Sequence, residues 1–162
     1  MSISVGDTLP EATFLTPGAD GPSKLDSKEL FSGKTVALFA VPGAFTPTCH
    51  AQHVPGFLSH ADELAAKGVD TIACLAVNDP FVVEQWKQAS DPSGKITFLA
   101  DGSAEFTKAI GMDIDLGPHG LGTRSKRYAM LVKDGKVEVL NVEDVPSTAD
   151  QSSAAELLKS MG

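Results

Sequence analysis

Thr35-Val-Ala-Leu-Phe-Ala-Val-Pro-Gly-Ala-Phe-Thr-Pro-Thr-Cys-His50 is the stretch on which the reading of this chain turns. Thr35–Val41 is a continuous apolar run of strand length and reads as a buried strand. Thr46 is a natural N-cap and Pro47 suits the first helical position, so the chain passes from strand to helix within a few residues. Cys49 then falls in the first helical turn. The unpaired backbone N–H groups of such a turn, with the positive end of the helix dipole, favour negative charge. A cysteine placed there ionises more readily than a free one, and the thiolate is the reactive form. The stretch therefore predicts a thiol nucleophile at the mouth of a strand-to-helix turn.

The segments around it extend the pattern. The first part of the chain, to about Ser32, is rich in Gly, Pro and Asp and reads as irregular or short hairpin structure, with one helical turn near Ser27–Phe31. A helix from Pro47 must kink or break at Pro55-Gly56, because Pro55 lacks a donor and crowds the preceding turn. It resumes from Phe57 to Lys67, with Phe57, Leu58, Ala61, Leu64 and Ala65 at helical spacing, and stops at Gly68. Val69–Val77 reads as a second strand and Asp79-Pro80 as the cap of a helix to about Ala89. A short strand at Ile96–Ala100 precedes a helix near Ala104–Ile110. Tyr128–Val132 and Val137–Val142 form a hairpin across Lys133-Asp-Gly-Lys136, and Ser152–Met161 closes as an amphipathic helix. Strand–helix crossovers with one antiparallel pair predict a thioredoxin-like three-layer α/β sandwich with a mixed central sheet and flanking helices.

Composition narrows the classes. The 162 residues suit one domain spanning 1–162, with a core large enough to fold unaided. A net charge of −8 argues against a nucleic-acid binder. Two cysteines outside C-x-x-C spacing make neither a disulfide framework nor a zinc site, and favour a reducing compartment. The N-terminal residues lack signal or transit character and no run is long enough to span a membrane, so the expected location is cytoplasmic.

Pro42-x-x-x-Thr46-x-x-Cys49 resembles the peroxidatic motif of the peroxiredoxins, and the wider string from Val41 resembles their type II (peroxiredoxin-5-like) branch, especially its plant members. The resemblance continues through Val5-Gly-Asp-Thr-Leu-Pro10, His53-Val-Pro-Gly-Phe57, Val77-Asn-Asp-Pro-Phe81, Phe98-Leu-Ala-Asp-Gly102 and Gly120-Leu-Gly-Thr-Arg-Ser-Lys-Arg127. It implies a thiol-dependent peroxidase for hydrogen peroxide and small organic hydroperoxides, working through a cysteine sulfenic acid without metal, haem or flavin. It further implies glutaredoxin with glutathione, or thioredoxin, as reductant. It also implies a homodimer, for which loops around Phe45 and Phe81 are the expected contacts.

Peroxide chemistry needs a thiolate, donors for both oxygens and little steric cover. Cys49 is the expected nucleophile. Thr46 carries a hydroxyl able to cap the helix or to donate toward sulfur or peroxide. Pro42 by itself reads as a turn residue; the resemblance implies that it shields the thiolate from water. Arg127, just ahead of an apolar strand, offers a fixed fork of donors and a positive charge, whereas Arg124 and Lys126 read as surface charges. Cys74 lies in an apolar strand, which predicts an inert core thiol; the resemblance makes it the candidate resolving cysteine. His50 and His53 read as polar packing at the pocket rim, and His60 and His119 offer nothing specific. Two rival readings stand beside the peroxidase. One is a cysteine hydrolase using Cys49 with His53 as base. The other is a non-catalytic thioredoxin-like binding or chaperone module.

Overall fold

In the computed structural model, which describes residues 2–162 apart from the side chain of Cys49, seven strands form one mixed sheet. They are β1 (Thr13–Thr16), β2 (Ser23–Asp26), β3 (Thr35–Val41), β4 (Thr71–Ala76), β5 (Thr97–Ala100), β8 (Tyr128–Lys133) and β9 (Lys136–Val142). Their spatial order is β2-β1-β5-β4-β3-β8-β9. β3 runs parallel to β4 and β4 to β5, as helical crossovers require, while β8 joins β3 antiparallel and β9 follows by hairpin. β3 lies between β4 and β8, so the stretch that opens the active-site loop issues from the middle of the sheet.

Side chains alternate between the two faces with strand period. Ala37, Phe39 and Val41 of β3 pack with Ile72, Cys74 and Ala76 of β4 in one core. Val36, Leu38 and Ala40 face the other core with Ala73, Leu75, Tyr128, Met130 and Val132. Helices α2 (Val54–Ser59), α3 (Ala61–Ala66), α4 (Pro80–Ser90) and α6 (Ala154–Met161) cover the first face. The second is covered by α1 (Ser27–Phe31), through Leu30 and Phe31, and by α5 (Glu105–Ala109), through Phe106. This is the three-layer arrangement the element order predicts.

The helix after Cys49 differs from the expectation. Cys49–His53 forms one π-helical turn, α2 follows, and the run is interrupted again at His60 before α3. Pro55 does not break the helix. It sits in the first turn of α2, directly after the π-turn, so the irregularity expected around it takes the form of a widened turn on its N-terminal side. Asp79 caps α4 as expected, accepting from the N–H groups of Phe81 and Val82 at 2.9 Å each. The Asp134-Gly135 hairpin has φ of 50° and 78°, the conformation that such a pair adopts in a two-residue turn. Residues 112–125 hold a small antiparallel pair, β6 (Asp113–Asp115) and β7 (Thr123–Ser125), flanking a 3₁₀ turn at Gly117–His119. Its short polar strands carry no periodic signal in the sequence. Among the described residues no helix is long and apolar enough to cross a membrane.

Candidate active site

The loop from Val41 to Thr48 is shaped by polar contacts that begin in its own backbone. The Thr46 hydroxyl donates to the Gly43 carbonyl at 2.7 Å, and the Thr46 carbonyl accepts from His50 N–H at 2.9 Å. These contacts tie Thr46 both to its own loop and to the first turn of the helix. Asn78, just after β4, accepts from Ala44 N–H at 2.9 Å and ties the loop to the neighbouring strand end. Phe45 takes a left-handed conformation, φ 62°, and is exposed.

Pro42, Thr46 and Arg127, which lie 85 positions apart at their extremes in the sequence, line one cavity of 470 Å³. Pro47, Leu116, Leu121 and Pro146 make much of the rest of its wall, and His119 also borders it. The cavity lies beside the first turn of the helix, on which Cys49 opens the π-turn. The expectation for the Cys49 sulfur itself falls outside the described residues.

Arg127 precedes β8 and is 2% exposed. Its Nε donates to the Pro146 carbonyl at 3.0 Å and its Nη1 to His53 Nδ1 at 3.0 Å. Because a guanidinium only donates, His53 Nδ1 carries the lone pair; Nε2 then carries the hydrogen and donates to the Ser152 carbonyl at 2.9 Å. His53 is therefore a buried neutral imidazole, 2% exposed, against Phe39 and Phe57. Burial and then the Arg127 charge lower its pKa to about 3, against weaker opposing effects of the Ser152 carbonyl and Glu143. The expected rim position is thus corrected. His53 is an interior residue, and a ring with both nitrogens engaged and so low a pKa is unfit as the general base of a hydrolase.

His50 does lie at the surface, accepting from Trp86 Nε1 at 3.2 Å. The two histidines diverge to different partners, His50 to Trp86 and His53 to Arg127 and Ser152. Cys74 is 1% exposed in β4, paired in register with Phe39 and Phe98, and is not part of the cavity wall. Arg124 is not a simple surface charge: its Nε donates to the Leu121 carbonyl at 2.7 Å, and its guanidinium crosses the backbone at Gly43. The sequence reading also passes over Asn78, Pro146, Ser152 and Glu143. Asn78 sits in a stretch that supports the family resemblance, but Pro146 and Ser152 meet the site through their carbonyls, and the Glu143 carboxylate meets only groups of its own segment, so no side-chain pattern marks the three.

The sequence pattern of the Redoxin family matches residues 4–158. Peroxiredoxin-2E, chloroplastic, from Arabidopsis thaliana is 48% identical over 99% of this chain and 70% of its own length. Peroxiredoxin-2C from Oryza sativa subsp. japonica is 46% identical over 98% of each. The crystal structure of reduced Prx3 in complex with H2O2 from Vibrio vulnificus matches with a TM-score of 0.92 and 47% identity, covering 99% of both chains. Peroxiredoxin 5 from Alvinella pompejana matches at 0.87 and 36% identity, covering 98% of this chain and 97% of its own. Fold and relatives together define a thiol-dependent peroxidase, an oxidoreductase that takes a peroxide as substrate and electrons from a thiol. The chain belongs to the Redoxin family, as a type II, peroxiredoxin-5-like peroxiredoxin.

Proposed function

We propose that Cys49 is the peroxidatic nucleophile, and that Pro42, Thr46 and Arg127 form the site in which it acts. The observation that carries this reading is the convergence of those three residues on one cavity beside the turn that Cys49 opens. The thiolate attacks one peroxide oxygen; an S–O bond forms as the O–O bond breaks, and the departing oxygen leaves as alkoxide or hydroxide and takes up a proton. Cys49 is left as a sulfenic acid, which excess peroxide oxidises further to sulfinic acid. Arg127 stabilises the thiolate and the departing oxygen, Thr46 holds the peroxide, and Pro42 keeps water from the sulfur. The apolar wall of Leu116, Leu121 and Pro146 supports hydrogen peroxide and small organic hydroperoxides as substrates.

An incoming thiol then attacks the sulfenic sulfur, releasing water and forming a mixed disulfide, and a second thiol restores Cys49. Glutaredoxin with glutathione, or thioredoxin, is the proposed donor. Burial of Cys74 in β4 favours this external route over an internal disulfide, whose geometry would require the Cys49 turn to unwind. Exposed Phe45 and Phe81, 49% and 66% accessible, support a homodimer. The proposed setting is cytoplasmic, where a reducing thiol pool maintains such a cycle.

Cys49→Ser is expected to abolish peroxide turnover, and Cys74→Ser to retain most of it with a glutaredoxin donor. Intact-mass analysis after anaerobic peroxide addition is expected to show a gain of one oxygen confined to Cys49. Equal losses in the two variants would instead assign the internal disulfide route. A Cys49 that alkylates slowly and only at high pH would leave a non-catalytic module as the reading.

A further inference from the structure

Residues 143–152 run from the end of β9 toward α6 without a regular element, yet three of their carbonyls hold groups at the site. Pro146 O accepts from Arg127 Nε at 3.0 Å, Ser147 O from the Thr48 hydroxyl at 3.0 Å, and Ser152 O from His53 Nε2 at 2.9 Å. A connecting segment would ordinarily be among the more mobile parts of a domain, so its shape needs a cause.

One side chain supplies it. Glu143 is 8% exposed, and its carboxylate gathers donors from the far end of the segment. Oε1 accepts from the Thr148 hydroxyl at 2.9 Å. Oε2 accepts from the Ser152 hydroxyl at 2.6 Å and from the Ser152 backbone N–H. At the near end, Glu143 N–H donates to the carbonyl of Arg127 at 3.0 Å, so the clasp is anchored on the backbone of the residue it serves. Three donors facing two oxygens suit an ionised carboxylate, which only accepts. Burial alone would raise the Glu143 pKa, but the hydrogen bonds from Ser152 and Thr148 outweigh it and hold the carboxyl below its usual range.

We propose that Glu143 is a positioning residue for the peroxidase reaction: by closing the 143–152 strap it sets the carbonyls that aim Arg127 and seat His53 behind it. Glu143 does not border the main cavity and acts only through these neighbours. The inference rests on the reading of Arg127 as the cation of the site.

The test is a double-mutant cycle on the rate of Cys49 oxidation by hydrogen peroxide, with Glu143→Ala, Arg127→Gln and the pair, each confirmed folded by circular dichroism. Glu143→Ala is expected to lower the second-order rate by about 10- to 100-fold, as loss of alignment by about 1 Å does. It should also move the pH midpoint of Cys49 alkylation upward. In the Arg127→Gln background the same change is expected to add less than about 3-fold, because its effect passes through Arg127. Glu143→Gln should restore most of the rate, since its oxygen keeps both Ser152 donors and its NH2 group donates to the Thr148 hydroxyl. A folded Glu143→Ala at the unmutated rate, or losses that multiply in the pair, would overturn the proposal. Arg127→Gln at the unmutated rate would overturn it too, and would place the failure in the reading of the site. If Glu143→Ala does not fold, Ser152→Ala decides: a several-fold loss supports the strap and an unchanged rate refutes it.

Discussion

Gly43 shows how closely single atoms are placed around the loop. A Cβ built there would lie 3.0 Å from Arg124 Nη1 and 3.1 Å from the methyl of Thr46. The guanidinium has room to swing, but the Thr46 side chain is tied by its hydroxyl to the Gly43 carbonyl. Gly43→Ala is therefore expected to push Thr46 out of place, costing about 1 kcal/mol of stability and about tenfold in peroxide rate. Stopped-flow oxidation and thermal unfolding measure the two effects separately. An unchanged rate would mean that the position of Thr46 does not matter to the reaction. Arg127 follows the same logic at its other face: the Pro146 carbonyl and the neutral His53 ring hold its guanidinium in position.

Among the elements, the strand–loop–helix unit from β3 to α2 depends on neighbours for its aim. β3 is held on both sides by β4 and β8, and the loop is pinned through Asn78, which follows β4. Pro55 remains within a helical run behind the π-turn, and His53, the last residue of that turn, reaches inward to Arg127. α4, next in the chain, is stabilised by its own start. Asp79→Ala removes two cap bonds and is expected to cost about 1 kcal/mol, or about 2–4 °C in Tm for a domain of this size. Because Asp79 serves only the helix N–H groups, the peroxide rate per folded molecule should stay the same, as calorimetry paired with kinetics will report.

For the whole molecule, the buried network at Arg127 couples the site to stability through pH. The unfolded chain binds a proton on residue 53 near pH 6.5, but the native imidazole does so only near pH 3, because burial and the Arg127 charge disfavour the cation. The unfolded state thus binds more protons in that window, and stability falls as pH falls through it. Glu143, also held below its usual range, adds to the loss at lower pH, because its carboxyl too protonates first in the unfolded chain. Between pH 7 and 5 the His53 contribution alone is expected to remove about 2 kcal/mol. Urea unfolding at the two pH values measures it, and His53→Gln should flatten the dependence. An equal slope in the variant would refute the assignment.

Local patterning was sufficient for much of this protein. The apolar run of β3 with Thr46-Pro47 after it, the Asp79-Pro80 cap and the Asp134-Gly135 turn each specify their conformation within a few residues, so the layers and their order were legible in the chain. Pro42, Thr46 and Arg127 were singled out by their resemblance to a family motif, and the fold gathers the three on one cavity. The tertiary structure decided what those residues meet. His53 was read as a rim residue, since spacing along a helix says nothing of the strap that arrives from 99 positions later in the sequence. Arg124 read as a surface charge and Glu143 carried no signal at all, until the fold set one across Gly43 and closed the other over Ser152. Hydrogen bonds to loop carbonyls depend on where distant backbone comes to rest, and backbone atoms are common to all residues, so no pattern of side chains announces them.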